Sequence, residues 1–234
     1  MNIDQNISIQ SDQVKLVSTF EELISTPYSG KINAIGLIRE TDADFKEIAN
    51  KIELVDTITE ITLEDLNALN LSEKGILARN IIIEDFTNLL EFGAQPSLNL
   101  IKSYPEDQEF DFISTDVYSY HVDRSPVATD TFLCTYYGTV SDIIPNERAI
   151  QKINIPSVRE KLIELYDGDE TNFEDFLVEN YFDMHYDPLE NTTPYNLGLI
   201  NLWKIAVDHP NQNVLPCVHR APRELEELRL LLIC

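Results

Sequence analysis

The sequence predicts an α+β protein in which a helical and mixed N-terminal portion, residues 1–95, buttresses an antiparallel β portion, residues 96–234, in one compact unit. Three observations predict it. Apolar residues recur at helical spacing over 42–52, 62–70 and 72–92. After Gln95-Pro96 the pattern becomes short apolar or β-branched runs at 98–101, 117–120, 132–137 and 149–155, separated by Pro, Asp, Ser and Asn. Finally, 234 residues, 43% of them hydrophobic and 9% aromatic, can bury a sizeable core.

Each element has a local reason. Residues 1–12 are polar and fray. A strand at 14–17 runs into Ser18-Thr19, either of which can cap a brief helix, and 32–38 reads as a buried strand. Over 42–52, Phe45, Ile48, Ala49 and Ile52 form an apolar stripe. Thr62 and Asp65 have the spacing of a helix-opening cap. Ser72 to Phe92 is the longest helical stretch, with Gly93 placed to end it. In the second half the strand runs suit a jelly-roll barrel with side chains converging at its mouth. Helix-like segments at 157–166 and 172–181 interrupt them, forming an insertion at about 156–194 around the acidic turn Asp167-Gly168-Asp169-Glu170. Strand character resumes at 199–207, which contains Trp203.

Composition excludes several classes. Forty-one acidic against seventeen basic residues give a formal charge of −24, and no basic patch offsets it. Binding to nucleic acid or to an anionic membrane surface is therefore opposed. With only seven glycines and no G-x-G-x-x-G or G-K-[ST], there is no phosphate loop. No G-x-S-x-G is present either. Cys134, Cys217 and Cys234 show no C-x-x-C spacing, no apolar run approaches a membrane span, and the N-terminus has no secretory pattern. These point to a reduced, cytoplasmic protein.

The chemistry concentrates in Tyr120 to Gly138, YHVDRSPVATDTFLCTYYG. On a strand, His121 and Asp123 project to one face with Val122 behind. An imidazole and a carboxylate are two ligands of the open facial triad that holds Fe(II) and leaves coordination positions free. The second imidazole is His219, in VLPCVHRAP. Ten residues on, Arg229 lies in LRLLLIC, where alternation puts Leu228, Leu230 and Leu232 on one face and Arg229, Leu231 and Ile233 on the other. A guanidinium buried there requires an anion, and a dicarboxylate co-substrate supplies one.

His-x-Asp, a distal His and an Arg about ten residues later, over roughly residues 98–234, resemble the double-stranded β-helix oxygenases that use Fe(II) and 2-oxoglutarate. The wider context, YHVDRSP, LCTYYG, VHRAPRE and RLLLIC, also resembles a bacterial domain family of unknown function. The resemblance implies that His121, Asp123 and His219 bind iron and that Arg229 pairs with the far carboxylate of the co-substrate. Arg223 ranks second as anion partner, and among Thr135, Tyr136 and Tyr137 a tyrosine, represented by Tyr136, can donate to a bound carboxylate. The substrate is a small molecule or a peptide; the oligomeric state is open.

Other readings stand beside this one. His121 and Asp123 can be an ordinary strand pair, with Arg229 bridged to Glu224, Glu226 or Glu227. The same ligands suit a cupin-like metal enzyme or metal-binding protein without 2-oxoglutarate, and the barrel suits a non-catalytic acidic interaction protein. Asp183, His185 and Asp187 share a face if extended, but lie where a solvated acidic loop is expected. His209, in Asp208-His209-Pro210, is expected in an exposed turn.

Overall fold

The computed structural model describes residues 11–224 and 227–234; residues 1–10, with the fraying expected of them, and Glu226, one candidate partner of Arg229, lie outside the described residues. The first half runs β1 (Val14–Val17), α1 (Phe20–Ser25), β2 (Ala34–Leu37), α2 (Phe45–Lys51), β3 (Ile58–Ile61), α3 (Leu63–Ala68) and α4 (Glu73–Phe92). The second half follows with β4 (Ser97–Ile101), β5 (Tyr120–His121), β6 (Asp130–Tyr137), β7 (Asp142–Ile143), β8 (Ala149–Gln151), α5 (Pro156–Leu165) and α6 (Phe173–Glu179). It ends with β9 (His185–Pro188), β10 (Tyr195–Asn196), β11 (Leu202–Ala206), β12 (His219–Arg220) and β13 (Arg229–Ile233).

Helices α1 to α4 begin where a side-chain oxygen meets a free backbone N–H. Thr19, Asp44 and Ser72 accept from the amides of Glu22, Glu47 and Gly75 at 3.1, 3.0 and 3.1 Å. Thr62 and Asp65 form a reciprocal capping box. Helix α4 stops at Gly93, whose φ of 101° is open to glycine at little cost. No described helix is long and apolar enough to cross a membrane.

The strands form a seven-stranded sheet in the order β1-β2-β11-β6-β13-β4-β3 and a six-stranded sheet in the order β10-β7-β12-β5-β9-β8. The N-terminal half thus extends the first sheet at both edges, by β1-β2 and by β3, a strand the sequence reading did not contain. Period-two alternation divides that sheet's faces. Phe132, Cys134, Tyr136, Leu230 and Leu232 pack with Ile48, Leu66, Ile82 and Leu89 of the helices. Leu133, Leu231, Trp203 and Ile205 pack with Ile143 and Cys217, from β7 and the approach to β12. The second cluster joins the two sheets. A third, of Val158, Leu162, Phe173, Leu177 and Phe182 with Ile113 and Ile153, forms a small subcore around α5 and α6. The expected runs at 117–120 and 149–155 are shorter as strands: Asp116 turns the chain by accepting from the amides of Tyr118 and Ser119, and a 3-10 turn at Lys152–Asn154 ends β8.

One polar group on the helix-facing side pins α4 to the sheet. Asp85 is 3% exposed. Its carboxylate accepts from Arg39 Nη1 and Nη2 at 2.7 and 2.8 Å and from the Tyr136 hydroxyl at 2.7 Å. The Arg39 Nε donates to the Ile200 carbonyl at 2.9 Å. Tyr136 is therefore a structural donor to Asp85, not a ligand-binding group facing the second sheet; alternation turns it away from the face that Thr135 occupies. Asp85→Ala, which strands the guanidinium, is expected to lower the unfolding free energy by about 3–5 kcal/mol. Tyr136→Phe is expected to cost about 1–3 kcal/mol and leave metal affinity unchanged. Urea titrations and a metal-binding isotherm check both.

Candidate metal centre

Strand pairing brings the histidines together. In the six-stranded sheet His219 of β12 is the direct antiparallel partner of His121 of β5, and His121 is the direct partner of His185 of β9. Residues opposite each other on antiparallel strands point to the same face. The His121 ring centroid accordingly lies 4.4 Å from that of His219 and 5.8 Å from that of His185.

Asp123 joins them from just beyond β5, where the strand was expected to continue. The chain stays extended there because the Val122 amide donates to the Met184 carbonyl at 3.1 Å and the Asp208 amide to the Asp123 carbonyl at 2.8 Å. Val122 packs against Tyr120, Ile144 and Val218. The Asp123 carboxylate lies between the two imidazoles, Oδ1 at 3.9 Å from His121 Nε2 and Oδ2 at 3.7 Å from His219 Nε2. One ligand atom from each of His121, Asp123 and His219 lies within 4.8 Å of the others. Adjacent corners of an octahedron with bonds near 2.1 Å stand about 3 Å apart, so a small inward movement closes the three on a divalent ion.

The surroundings fit ligation. The Nδ1 of His121 lies 2.8 Å from the Ser119 carbonyl and that of His219 lies 3.1 Å from the Cys217 carbonyl. A carbonyl only accepts, so each Nδ1 carries the proton and each Nε2 presents its lone pair to the centre. Thr131 of β6 donates to Asp123 Oδ2 at 2.5 Å and orients the carboxylate from the opposite sheet. Burial pushes His121 down to about 4, reinforced by His219 and opposed by the Ser119 carbonyl and Asp123. Burial alone would raise Asp123, but His219, the Thr131 hydroxyl and His121 outweigh it and hold the carboxyl below its ordinary range. Two of the three ligands are thus in the metal-binding protonation state at neutral pH.

Arg229 lies on the inner face of β13, 1% exposed. Its Nη2 donates to Thr135 Oγ1 at 3.1 Å and Ser141 Oγ at 2.8 Å, while its Nε is buried without a partner among the described residues. Burial lowers its pKa, with Tyr104, Glu224 and Tyr118 opposing. Among the described residues no carboxylate, Glu224 and Glu227 included, lies within 4.0 Å of this guanidinium. Arg223 is elsewhere: exposed, paired with Glu106 and lying over the Tyr118 ring. Arg124 is held by Asp183 and Asp208, and Arg220 by Asp142 while covering the Tyr120 ring. Of the arginines Arg124, Arg220, Arg223 and Arg229, the last alone has only neutral hydrogen-bond partners among the described residues.

His185 also lies elsewhere than the sequence reading placed it. Asp183 turns to Arg124 and Asp187 approaches Lys152 at 3.8 Å, so the three do not form a second metal cluster. The imidazole instead points inward, 5% exposed, with Nδ1 enclosed and unpartnered. Burial, His121 and Lys152 lower it to about 3. It lines a cavity of about 490 Å³ that also reaches His121 and Asp123. No local signal in the sequence shows this: His185 lies three residues after the buried Phe182, and it is the pairing of β9 with β5 that turns it inward. His209 is half-buried in a turn, its Nδ1 accepting from the Asn211 amide.

An unfolded chain protonates His121 and His185 near 6.5, whereas the fold holds them at about 4 and about 3. Between these values the unfolded state binds protons that the folded, metal-free state does not, so stability is full above pH 6.5 and falls as pH drops toward 4. Each histidine contributes up to about 1.4 kcal/mol per pH unit. His185→Gln is expected to flatten the slope by one histidine's share in urea titrations of the metal-free protein; equal slopes would contradict the burial described.

Compared with family models, with curated proteins and with solved structures, the chain matches none.

Proposed function

We propose that the chain is a non-haem Fe(II)- and 2-oxoglutarate-dependent oxygenase built on a double-stranded β-helix, acting on a small molecule or a peptide. What supports the fold is the pairing among eight strands of the second half. In one sheet β4 pairs with β13 and β6 with β11; in the other β5 pairs with β12 and β7 with β10. First pairs with last, second with seventh, third with sixth and fourth with fifth, as in one long hairpin wound into two layers. β8, β9, α5 and α6 are an insertion between the fourth and fifth strands.

The observation that carries the function is the conjunction of the triad with Arg229. His121, Asp123 and His219 would hold the metal by one face, leaving the other positions to ligands. Arg229 buries a charge on two neutral hydroxyls, which costs several kcal/mol unless an anion completes it. The far carboxylate of 2-oxoglutarate fits that need, with Thr135 and Ser141 as further donors. When bound, Fe(II) would activate dioxygen, the oxidant, with 2-oxoglutarate giving up two electrons as it becomes succinate and carbon dioxide and the substrate giving up the other two on hydroxylation. The chain's own part is to hold the Nε2 lone pairs and the Asp123 carboxylate in place, to seat the dicarboxylate and to exclude water between the sheets.

The test is an anaerobic titration of metal-free protein with Fe(II) and then 2-oxoglutarate. A visible charge-transfer band that is absent in His121→Ala is the expected result; no metal binding, or equal binding in the variant, refutes the site. Arg229→Met is expected to keep the metal and lose the co-substrate. It is also expected to stabilise the ligand-free protein by about 1–4 kcal/mol, because it removes an unpaired buried charge. With 2-oxoglutarate at about 100 times its Kd, the metal-loaded wild type gains about 2.7 kcal/mol and the variant gains none. Metal binding that ignores 2-oxoglutarate and survives Arg229→Met identifies the cupin-like alternative.

A further inference from the structure

We propose that His185 is a positioning residue of the metal centre: its Nε2–H faces the cavity beside the triad and donates a hydrogen bond to a small anion held in the coordination position next to His121. The inference rests on the metal-centre reading and deepens it, by naming the side on which added ligands bind and the group that receives them.

The three imidazoles form a row across β12, β5 and β9. His121 is in the middle, with the ring centroid of His219 at 4.4 Å on one side and that of His185 at 5.8 Å on the other. The ligand atoms of His121, Asp123 and His219 lie within 4.8 Å of one another, and His185 stands outside that set. The cavity of about 490 Å³ is lined by His121, Asp123 and His185 but not by His219. Added ligands therefore reach the metal from the His185 side of His121. With bonds near 2.1 Å, an atom in a neighbouring coordination position sits about 3 Å from the His121 Nε2. A ring one strand further along the row is then placed one hydrogen bond beyond that atom, not in the coordination sphere.

Burial selects the tautomer. His185 is 5% exposed, and its Nδ1 is enclosed with no partner among the described residues. The described ion pairs of histidine are those of His121 and His219 with Asp123; none involves His185. An imidazole so buried stays uncharged, with one N–H and one lone pair. An enclosed N–H with nothing to accept it is the costlier omission, and folds leave a lone pair unmet more readily. The enclosed Nδ1 thus keeps the lone pair and Nε2 carries the proton. This is the reverse of His121 and His219, whose Nδ1–H groups are taken by the Ser119 and Cys217 carbonyls. With Nδ1 closed in, the ring meets the cavity along the edge that holds Nε2. A neutral donor at that place strengthens the binding of an anion without competing for the metal.

The experiment loads the metal-free protein with Co(II), whose visible bands report coordination, and titrates azide into wild type, His185→Gln and His185→Leu. Glutamine keeps an N–H donor and leucine keeps only bulk. Co(II) affinity is expected to be the same in all three. Azide affinity is expected to hold within about three-fold in His185→Gln and to fall roughly ten-fold or more in His185→Leu. Nitrogen-15 NMR of the histidine-labelled, Zn(II)-loaded wild type reads the tautomer without any substitution. His185 protonated on Nε2, His121 and His219 protonated on Nδ1, and a downfield move of the His185 Nε2–H on adding azide are the expected results. A His185 protonated on Nδ1, an Nε2–H that azide leaves unmoved, or equal azide affinity in His185→Leu overturns the proposal. So does a His185→Leu protein that loses Co(II) as strongly as azide, since His185 is then a ligand. A wild type that takes up neither Co(II) nor Zn(II) refutes the metal centre and the proposal together; metal uptake without these effects at His185 refutes the proposal alone.

Discussion

The site depends on one constraint, the register of β12, β5 and β9. Because His219, His121 and His185 are direct partners across three antiparallel strands, a slip of one residue in either pairing would send an imidazole to the outer face. The register is held from outside the row. Val122 and Val218 pack with Tyr120 and Ile144 on the reverse face, so the apolar residues that alternate with the histidines fix the histidines inward. The backbone carbonyls of Ser119 and Cys217 then set which nitrogen faces the centre. Everything chemical about the triad follows from this pairing and from the hydrogen bond that Thr131 sends across to Asp123.

The second sheet contributes a complementary arrangement. Its inner face is apolar at Leu133, Leu231 and Trp203 and polar at Thr131, Thr135 and Arg229, so the polar positions gather on β6 and the start of β13. The bulge between Leu230 and Leu231 lets β13 keep its hydrophobic positions in step with β6 while Arg229 enters on the inner side. Gly138 permits the same approach: at φ 88° it lies against the Leu228 carbonyl and Arg229 Cα, where a Cβ would meet backbone at 2.4 Å and 2.9 Å.

Much of this was legible before the fold was known, for identifiable reasons. Helices α2, α3 and α4 announce themselves by apolar stripes and by caps within the chain, which are local signals. The clustering of His121, Asp123 and His219 and the burial of Arg229 were legible because their order and alternation survive in one dimension. Tyr136 and Arg223 were misread because their partners, Asp85 and Glu106, are 51 and 117 residues away. His185 was missed for the same reason: only pairing with β5, across a helical insertion, shows which way it faces. β3 escaped because Thr59 and Glu60 make an edge strand look like a loop.

Satisfied and unsatisfied polar groups separate structure from function in this molecule. On the helix side, Asp85 collects two guanidinium bonds and a phenol, and the Arg39 Nε finds a carbonyl; that network closes on itself and asks for nothing. Between the sheets, the Arg229 Nε and the His185 Nδ1 are buried without partners among the described residues. A fold selected for stability alone would replace such groups by apolar ones of similar size, because each unmet donor or acceptor costs about 1–3 kcal/mol. The retention of the Arg229 guanidinium is understandable if an anion completes it. If such a ligand binds, the stability forgone without it would be recovered, coupling occupancy to folding at the same group.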